Sequence, residues 1–131
     1  MGAHYLSRLF SPRSIAVIGA SERQNSVGMR VFANLIEAGF EGQLYPVNPK
    51  HDTVQGKPCH PSVSAIGHPV DLAVIATPAE TVPDIIHECG EYGVAAAIIL
   101  SAGFAESGPK GERLQNNVLE SARHHGLRLV R

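Results

Sequence analysis

Four short segments of the chain carry the residue types that can hold a charged ligand. They are Gly19-Ala20-Ser21 with Ser26-Val27-Gly28, then Asn48-Pro49-Lys50, then Thr77-Pro78, and last Ser101-Ala102-Gly103. Their chemistry is that of backbone amides, small hydroxyls and one ammonium. Glycine and other small residues let backbone N–H groups approach a large ligand closely. Such a set binds an anion; it does not make or break bonds.

Residues suited to bond chemistry are scattered by comparison. His4, His51, His60, His68, His87, His124 and His125 fall mostly in polar loops or at helix ends, and no His-x-x-x-His pair suggests a metal. His124-His125 suits the negative end of a helix dipole. Cys59 reads as a loop thiol and Cys89 as a core thiol, in no metal-type spacing. No serine stands in a G-x-S-x-G elbow. Glu106 follows Phe104 and reads as a solvated loop carboxylate. No catalytic residue is therefore assigned.

The elements that must position the four segments follow from hydropathy patterning. Ile15 to Ile18 is a short β-branched run of the kind buried on both faces of a parallel sheet. Gly19 ends it, a polar loop follows, and Val31, Phe32, Leu35 and Ile36 recur at helical spacing up to Gly39. Gln43 to Val47 is a second strand. Pro46 cannot donate to a ladder, so it belongs near a strand end or where pairing lapses. Between His51 and Gly67 the pattern is irregular, with a short edge strand expected in Val54 to Cys59 and a helical turn or two from Pro61 to Ile66. Val70 to Ala76 is the third strand. Glu80 to Tyr92 is a helix with Val82, Ile85, Ile86 and Cys89 on one face. Val94 to Leu100 is the fourth strand. Pro109 to His125 is a helix with Leu114, Val118, Leu119 and Ala122 inward, and Leu127 to Val130 is the fifth strand. Ahead of these, Tyr5, Leu6, Leu9 and Phe10 suit a short helix stopped by Pro12.

Strand and helix alternate throughout. Repeated βα units with right-handed crossovers give an α/β, Rossmann-like open parallel sheet of about five strands with helices on both faces. Ligands of such sheets bind beyond the carboxyl ends of the strands, at the switch in strand order. All four segments fall at those ends. A helix start after the first strand adds its N–H groups and positive dipole end, which suit a phosphate.

Composition narrows the partners. The chain has 131 residues, enough for one domain with its own core, and 44% are hydrophobic, 5% aromatic, none Trp. The formal net charge of −1 gives no broad attraction to nucleic acid or an anionic membrane. No apolar run is long enough to span a bilayer, no signal-peptide core is visible, and two unpaired cysteines fit a reduced, cytoplasmic setting.

The ligand's identity is less determined. The G-x-G-x-x-G fingerprint is not met, since Gly28 is the next glycine after Gly19. An NAD site expects a carboxylate after the second strand, whereas Asn48 and Lys50 stand there. A cation in place of a carboxylate favours a phosphorylated ribose, as in coenzyme A or NADP. Each residue also has a plainer role: Gly19 and Gly103 in turns, Ser21 and Ser26 in capping, Lys50 on a solvated surface, Thr77-Pro78 in ending a strand.

The combination of Pro12-Arg13-Ser14-Ile15-Ala16-Val17-Ile18-Gly19-Ala20-Ser21, Tyr45-Pro46-Val47-Asn48-Pro49-Lys50, Asp71-Leu72-Ala73-Val74-Ile75-Ala76-Thr77-Pro78 and Ser101-Ala102-Gly103-Phe104 resembles the CoA-binding N-terminal domain of NDP-forming acyl-CoA synthetases. The same domain opens fusions of a synthetase-like region to a GNAT-type lysine acetyltransferase, and it is similar to the start of the succinyl-CoA synthetase α subunit. The resemblance runs from about Leu9 to Val130. It implies coenzyme A, free or as acetyl-CoA or another acyl-CoA, with the phosphate-bearing end on Gly19 to Ser21 and Ser26 to Gly28. It implies a phosphate contact for Lys50, an adenine and pantetheine path along Thr77-Pro78, and a last contact at Ser101-Ala102-Gly103. It also implies a phosphohistidine segment, an ATP-grasp domain or an acetyltransferase domain as partners. On this reading residues 1–131 are one excised domain that binds without turning over substrate. A stand-alone CoA-binding protein and an NADP-binding redox or regulatory domain are the alternatives.

Overall fold

The computed structural model describes residues 11–101 and 104–130. The expected packing of Tyr5, Leu6, Leu9 and Phe10 lies outside them. So do Ala102 and Gly103 of the fourth segment.

Five strands form one sheet in the order β2-β1-β5-β6-β7, every pair parallel. They are β1 (Ser14–Ile18), β2 (Gln43–Val47), β5 (Leu72–Ile75), β6 (Ala96–Ile99) and β7 (Arg128–Val130). Three helices make the long crossovers: α1 (Val27–Glu37), α2 (Val82–Tyr92) and α3 (Pro109–His125). The chain runs outward from β1 to β2, then returns past β1 and runs outward the other way. The switch in strand order therefore falls between β1 and β5.

Period-two alternation sorts the strand residues onto two faces. Ala16, Ile18, Ala73, Ile75, Ala97 and Ile99 share one core with Val82, Ile86 and Cys89 of α2 and Val118 and Ala122 of α3. Ile15, Val17, Leu72, Val74 and Ala96 share the other with Phe32 of α1, which is fully buried. The small alanines on the first face let two helices lie close to the sheet. The expected α/β sheet with helices on both faces is what forms.

Several local expectations change. Val54 to Cys59 is not an edge strand of the main sheet. It folds with Thr53 into a separate antiparallel hairpin of β3 (Thr53–Val54) and β4 (Lys57–Pro58). Gln55 and Gly56 both take positive φ, +51° and +78°, which suits the twist of a two-residue hairpin turn. The edge pairing falls instead to His60, which bridges Val47 in parallel; His60 N–H donates to the Pro46 carbonyl and Asn48 N–H to the His60 carbonyl. Pro46 thus lacks its N–H on the side of β2 where only one bridge forms, as a proline in a strand requires. Leu119 is 44% exposed, not inward; it lies beside a shallow apolar cleft with Ile99, Phe104, Val118 and Leu129. Residues Ala79–Thr81 form a 3-10 turn, so α2 starts at Val82. Ala38 caps α1, and Gly39 follows it in the left-handed region at φ +75°.

Candidate functional site

Hydrogen bonds between neighbouring strand ends hold the carboxyl rim together. Gly19 N–H donates to the Val47 carbonyl at 2.8 Å, and Ala76 N–H donates to the Ile18 carbonyl at 2.8 Å. Ser101 Oγ donates to the Thr77 carbonyl. The ends of β1, β2, β5 and β6 are thereby fixed to one another, and the four predicted segments meet at one rim as far as they are described.

Two glycines set the approach of α1. Gly19 takes φ +96°, and a Cβ there would stand 2.8 Å from the Ala76 carbonyl oxygen. A Cβ on Gly28 would stand 1.9 Å from the Gly19 carbonyl oxygen. The first turn of α1 therefore rests directly on the end of β1. Gly28 does the close-packing work that the last glycine of the shorter fingerprint does, nine residues after Gly19 in place of five. The sequence pattern hid this because the intervening loop is longer. The loop is itself ordered by its hydroxyls. Arg23 N–H donates to Ser21 Oγ at 2.9 Å, Ser26 Oγ donates to the Arg23 carbonyl, and Ser26 Oγ accepts from Met29 N–H at 3.1 Å. Ser26 is thus the N-cap of α1. The N–H groups of Val27 and Gly28, in the first turn, have no intrahelical acceptor and form the positive end of the helix dipole.

Asn48 is a brace. Its Nδ2 donates to the Ala20 carbonyl at 3.0 Å and its Oδ1 accepts from Lys50 N–H at 2.9 Å. Both ends of the amide are engaged within the protein, and the second bond turns Pro49-Lys50 outward. Pro49 and Lys50 are exposed. Thr77 is half-buried; its Oγ1 accepts from Thr81 Oγ1 at 2.8 Å, and Pro78 is exposed beside it. Ala20 is fully buried, so only its backbone can reach a ligand.

Glu22 and the hairpin were not foreseen. Glu22 Oε1 accepts from Gln55 N–H at 2.7 Å, tying the hairpin tip to the loop after β1. The signal in the sequence was the Gln55-Gly56 turn, which pins the hairpin but not its partner. Cys59 Sγ donates to the Asn48 carbonyl at 3.5 Å, and burial raises its pKa more than that bond lowers it. Glu106 accepts from Phe104 N–H at 3.1 Å and so orders its own loop.

Residues 13–131 match the family model described as a CoA binding domain. The chain belongs to the CoA-binding domain family. It is 44% identical over 124 residues to the ADP-forming acetate–CoA ligase II of Archaeoglobus fulgidus, covering 95% of this chain and 18% of the relative. It is 42% identical over 129 residues to the α subunit of the ADP-forming acetate–CoA ligase I of Pyrococcus furiosus, covering 95% of this chain and 28% of that subunit. Among solved structures, the apo dinucleotide-forming acetyl-coenzyme A synthetase 1 of Ca. Korarchaeum cryptofilum superposes with a TM-score of 0.91 at 39% identity, over 95% of this chain and 27% of that one. The chain spans less than a third of the length of each of these relatives. Its parallel five-stranded sheet is the fold of those neighbours. None of its described helices is long and apolar enough to cross a membrane.

Proposed function

We propose that this domain binds coenzyme A across the carboxyl rim of β1, β2, β5 and β6, as the CoA-holding part of an NDP-forming acyl-CoA synthetase. The observation that carries the reading is the contact of Gly28 with the Gly19 carbonyl. It brings the open Val27 and Gly28 amides to the switch point, where a pyrophosphate can accept from both. Lys50, turned outward by Asn48, supplies the cation for the 3′-phosphate. Ser21 keeps its hydroxyl hydrogen for the ligand, since its oxygen only accepts from Arg23 N–H. The thiol arm passes along Thr77-Pro78 towards Ser101.

The relatives' names support an acyl-CoA–NDP exchange in the whole protein: acyl-CoA, NDP and phosphate going to acid, CoA and NTP. The CoA-binding domain contributes the grip on CoA to that reaction, and the remaining steps belong to the ligase domains with which it partners.

Calorimetric titration with CoA and with dephospho-CoA tests the proposal. CoA should bind more tightly, and Lys50→Ala should remove most of the difference. Equal affinity for both ligands in the wild type would strip Lys50 of its role. No heat with either would remove the CoA assignment for this chain.

A further inference from the structure

At the end of the sheet opposite the rim, α3 runs into its last turn with Arg123, His124 and His125. A helix C-terminus favours such residues, but His125 is placed more tightly than that effect requires. Its ring lies over Gly90 of α2; a Cβ on Gly90 would stand 2.3 Å from His125 Cγ and 2.6 Å from its Cδ2. Only a glycine leaves room for the imidazole there. Across this contact His125 Nε2 is 3.2 Å from His87 Nδ1. The second nitrogen of His87, Nε2, is 3.1 Å from Glu91 Oε1, one helical turn further along α2.

These contacts fix the tautomer of neutral His87. Glu91 can only accept, so the His87 proton sits on Nε2 and Nδ1 is bare. A carboxylate holding the far N–H of an imidazole is the usual support of a metal-ligating histidine. Two nitrogens sharing a tetrahedral Zn²⁺ at about 2.0–2.1 Å lie roughly 3.3–3.4 Å apart, close to the separation already present. We propose that His87 Nδ1 and His125 Nε2 form a two-histidine site for a divalent transition metal of the zinc class, clamping α2 to α3. On binding, the His125 proton leaves Nε2 for Nδ1 through solvent, and both lone pairs go to the metal. An open cleft of about 560 Å³, lined by His87, Glu120, His124 and Arg123 among others, gives water access to the remaining positions. Among the described residues no three or more His, Cys, Asp or Glu converge on one point, so water completes the shell.

The site is independent of CoA and is tested without it. Zn²⁺ alone is titrated by calorimetry into the domain carrying Cys59→Ser, which removes the competing accessible thiol, and into the same protein with His87→Ala or His60→Ala. The expected result is one Zn²⁺ per chain, affinity reduced at least tenfold by His87→Ala, and no change with His60→Ala. His87 is 59% exposed, so its replacement should leave the fold intact. As a readout free of substitution, Zn²⁺ should shift the imidazole resonances of His87 and His125 before those of His51 or His60. Equal binding with and without His87, first shifts at His51 or His60, or no binding at all would each overturn the proposal.

Discussion

The two ends of the same sheet are stitched by the same kind of bond and left in opposite states. At the amino end, Ser14 is buried; its Oγ donates to the Pro69 carbonyl at 3.0 Å and accepts from Asp71 N–H at 2.9 Å. Asp71 Oδ2 in turn accepts from Arg13 N–H at 2.8 Å, and Gln43 N–H donates to the Arg13 carbonyl at 2.9 Å. Donors and acceptors there consume one another. At the carboxyl end, Asn48 and Ser101 perform the same stitching. Yet the Val27 and Gly28 amides, the Ser21 hydrogen and the Lys50 ammonium are left over. The difference follows from strand direction. In a parallel sheet every βα loop leads from a carboxyl end into a helix N-terminus, so open N–H groups gather on one rim. One end therefore serves stability and the other recognition.

Substitutions can separate the two roles. The largest effect is expected from Gly28→Ala. A methyl group 1.9 Å from the Gly19 carbonyl meets backbone, which cannot step aside. It should cost about 3 kcal/mol in urea unfolding, at the upper end for overpacking, and should abolish CoA binding by lifting α1 off β1. Unchanged CoA affinity in this variant would separate the α1 amides from the ligand. Ser14→Ala comes next. It leaves Asp71 N–H and the Pro69 carbonyl without this partner in a part-buried place, which should cost about 1 kcal/mol. CoA affinity should not move, and a parallel loss of affinity would erase the distinction between the ends. Lys50→Ala is the converse: about tenfold weaker CoA binding with the urea midpoint unchanged, since one charge-assisted bond to phosphate is lost from an exposed position.

Much of this rim could be read from residue order alone, and the reason is physical. Apolar runs such as Ile15–Ile18 and Leu72–Ile75 are buried on both faces, so their hydropathy states strand and depth together. Once parallel alternation is accepted, topology puts Gly19, Asn48, Thr77 and Ser101 on one edge without further information. What order alone could not yield were contacts between polar side chains far apart in the chain. Glu22 with Gln55 joins two loops 33 residues apart, and His125 meets His87 and Gly90, 38 and 35 residues away, because the apolar spacing of α2 and α3 turns each helix to the sheet without registering one helix against the other. Leu119 failed for a related reason. Its helical spacing places it beside Val118 and Ala122, but it rims the apolar cleft it shares with Ile99 and Leu129 and stays 44% exposed. Asn48 falls at the expected strand end, and its amide also braces Ala20 and Lys50, a task that residue order does not reveal.

The two cysteines offer a finer test of which end receives the ligand. Cys89 lies fully buried in the core between α2 and the sheet, and burial, with some help from the Glu88 charge, pushes its thiol up to about 12. Only a thiolate attacks an alkylating reagent at a useful rate, so Cys89 should stay silent in the folded protein. Its raised pKa also means that burial favours the neutral thiol. The stability it contributes is present below the ordinary thiol value of 9.0 and is lost progressively as pH rises from there towards about 12. Cys59 is half-buried at the hairpin base, its thiol on the Asn48 carbonyl, in the segment that ends in Lys50. Its pKa is raised as well, so labelling at pH 7 should be slow and should quicken with pH. Iodoacetamide labelling followed by mass spectrometry should thus modify Cys59 and spare Cys89. Saturating CoA should slow modification of Cys59 by a few-fold, because a ligand on Asn48-Pro49-Lys50 damps the opening of that segment. A Cys59 labelling rate unchanged by saturating CoA would move the ligand away from the β2 end. It would leave the carboxyl rim with open donors and nothing to receive them.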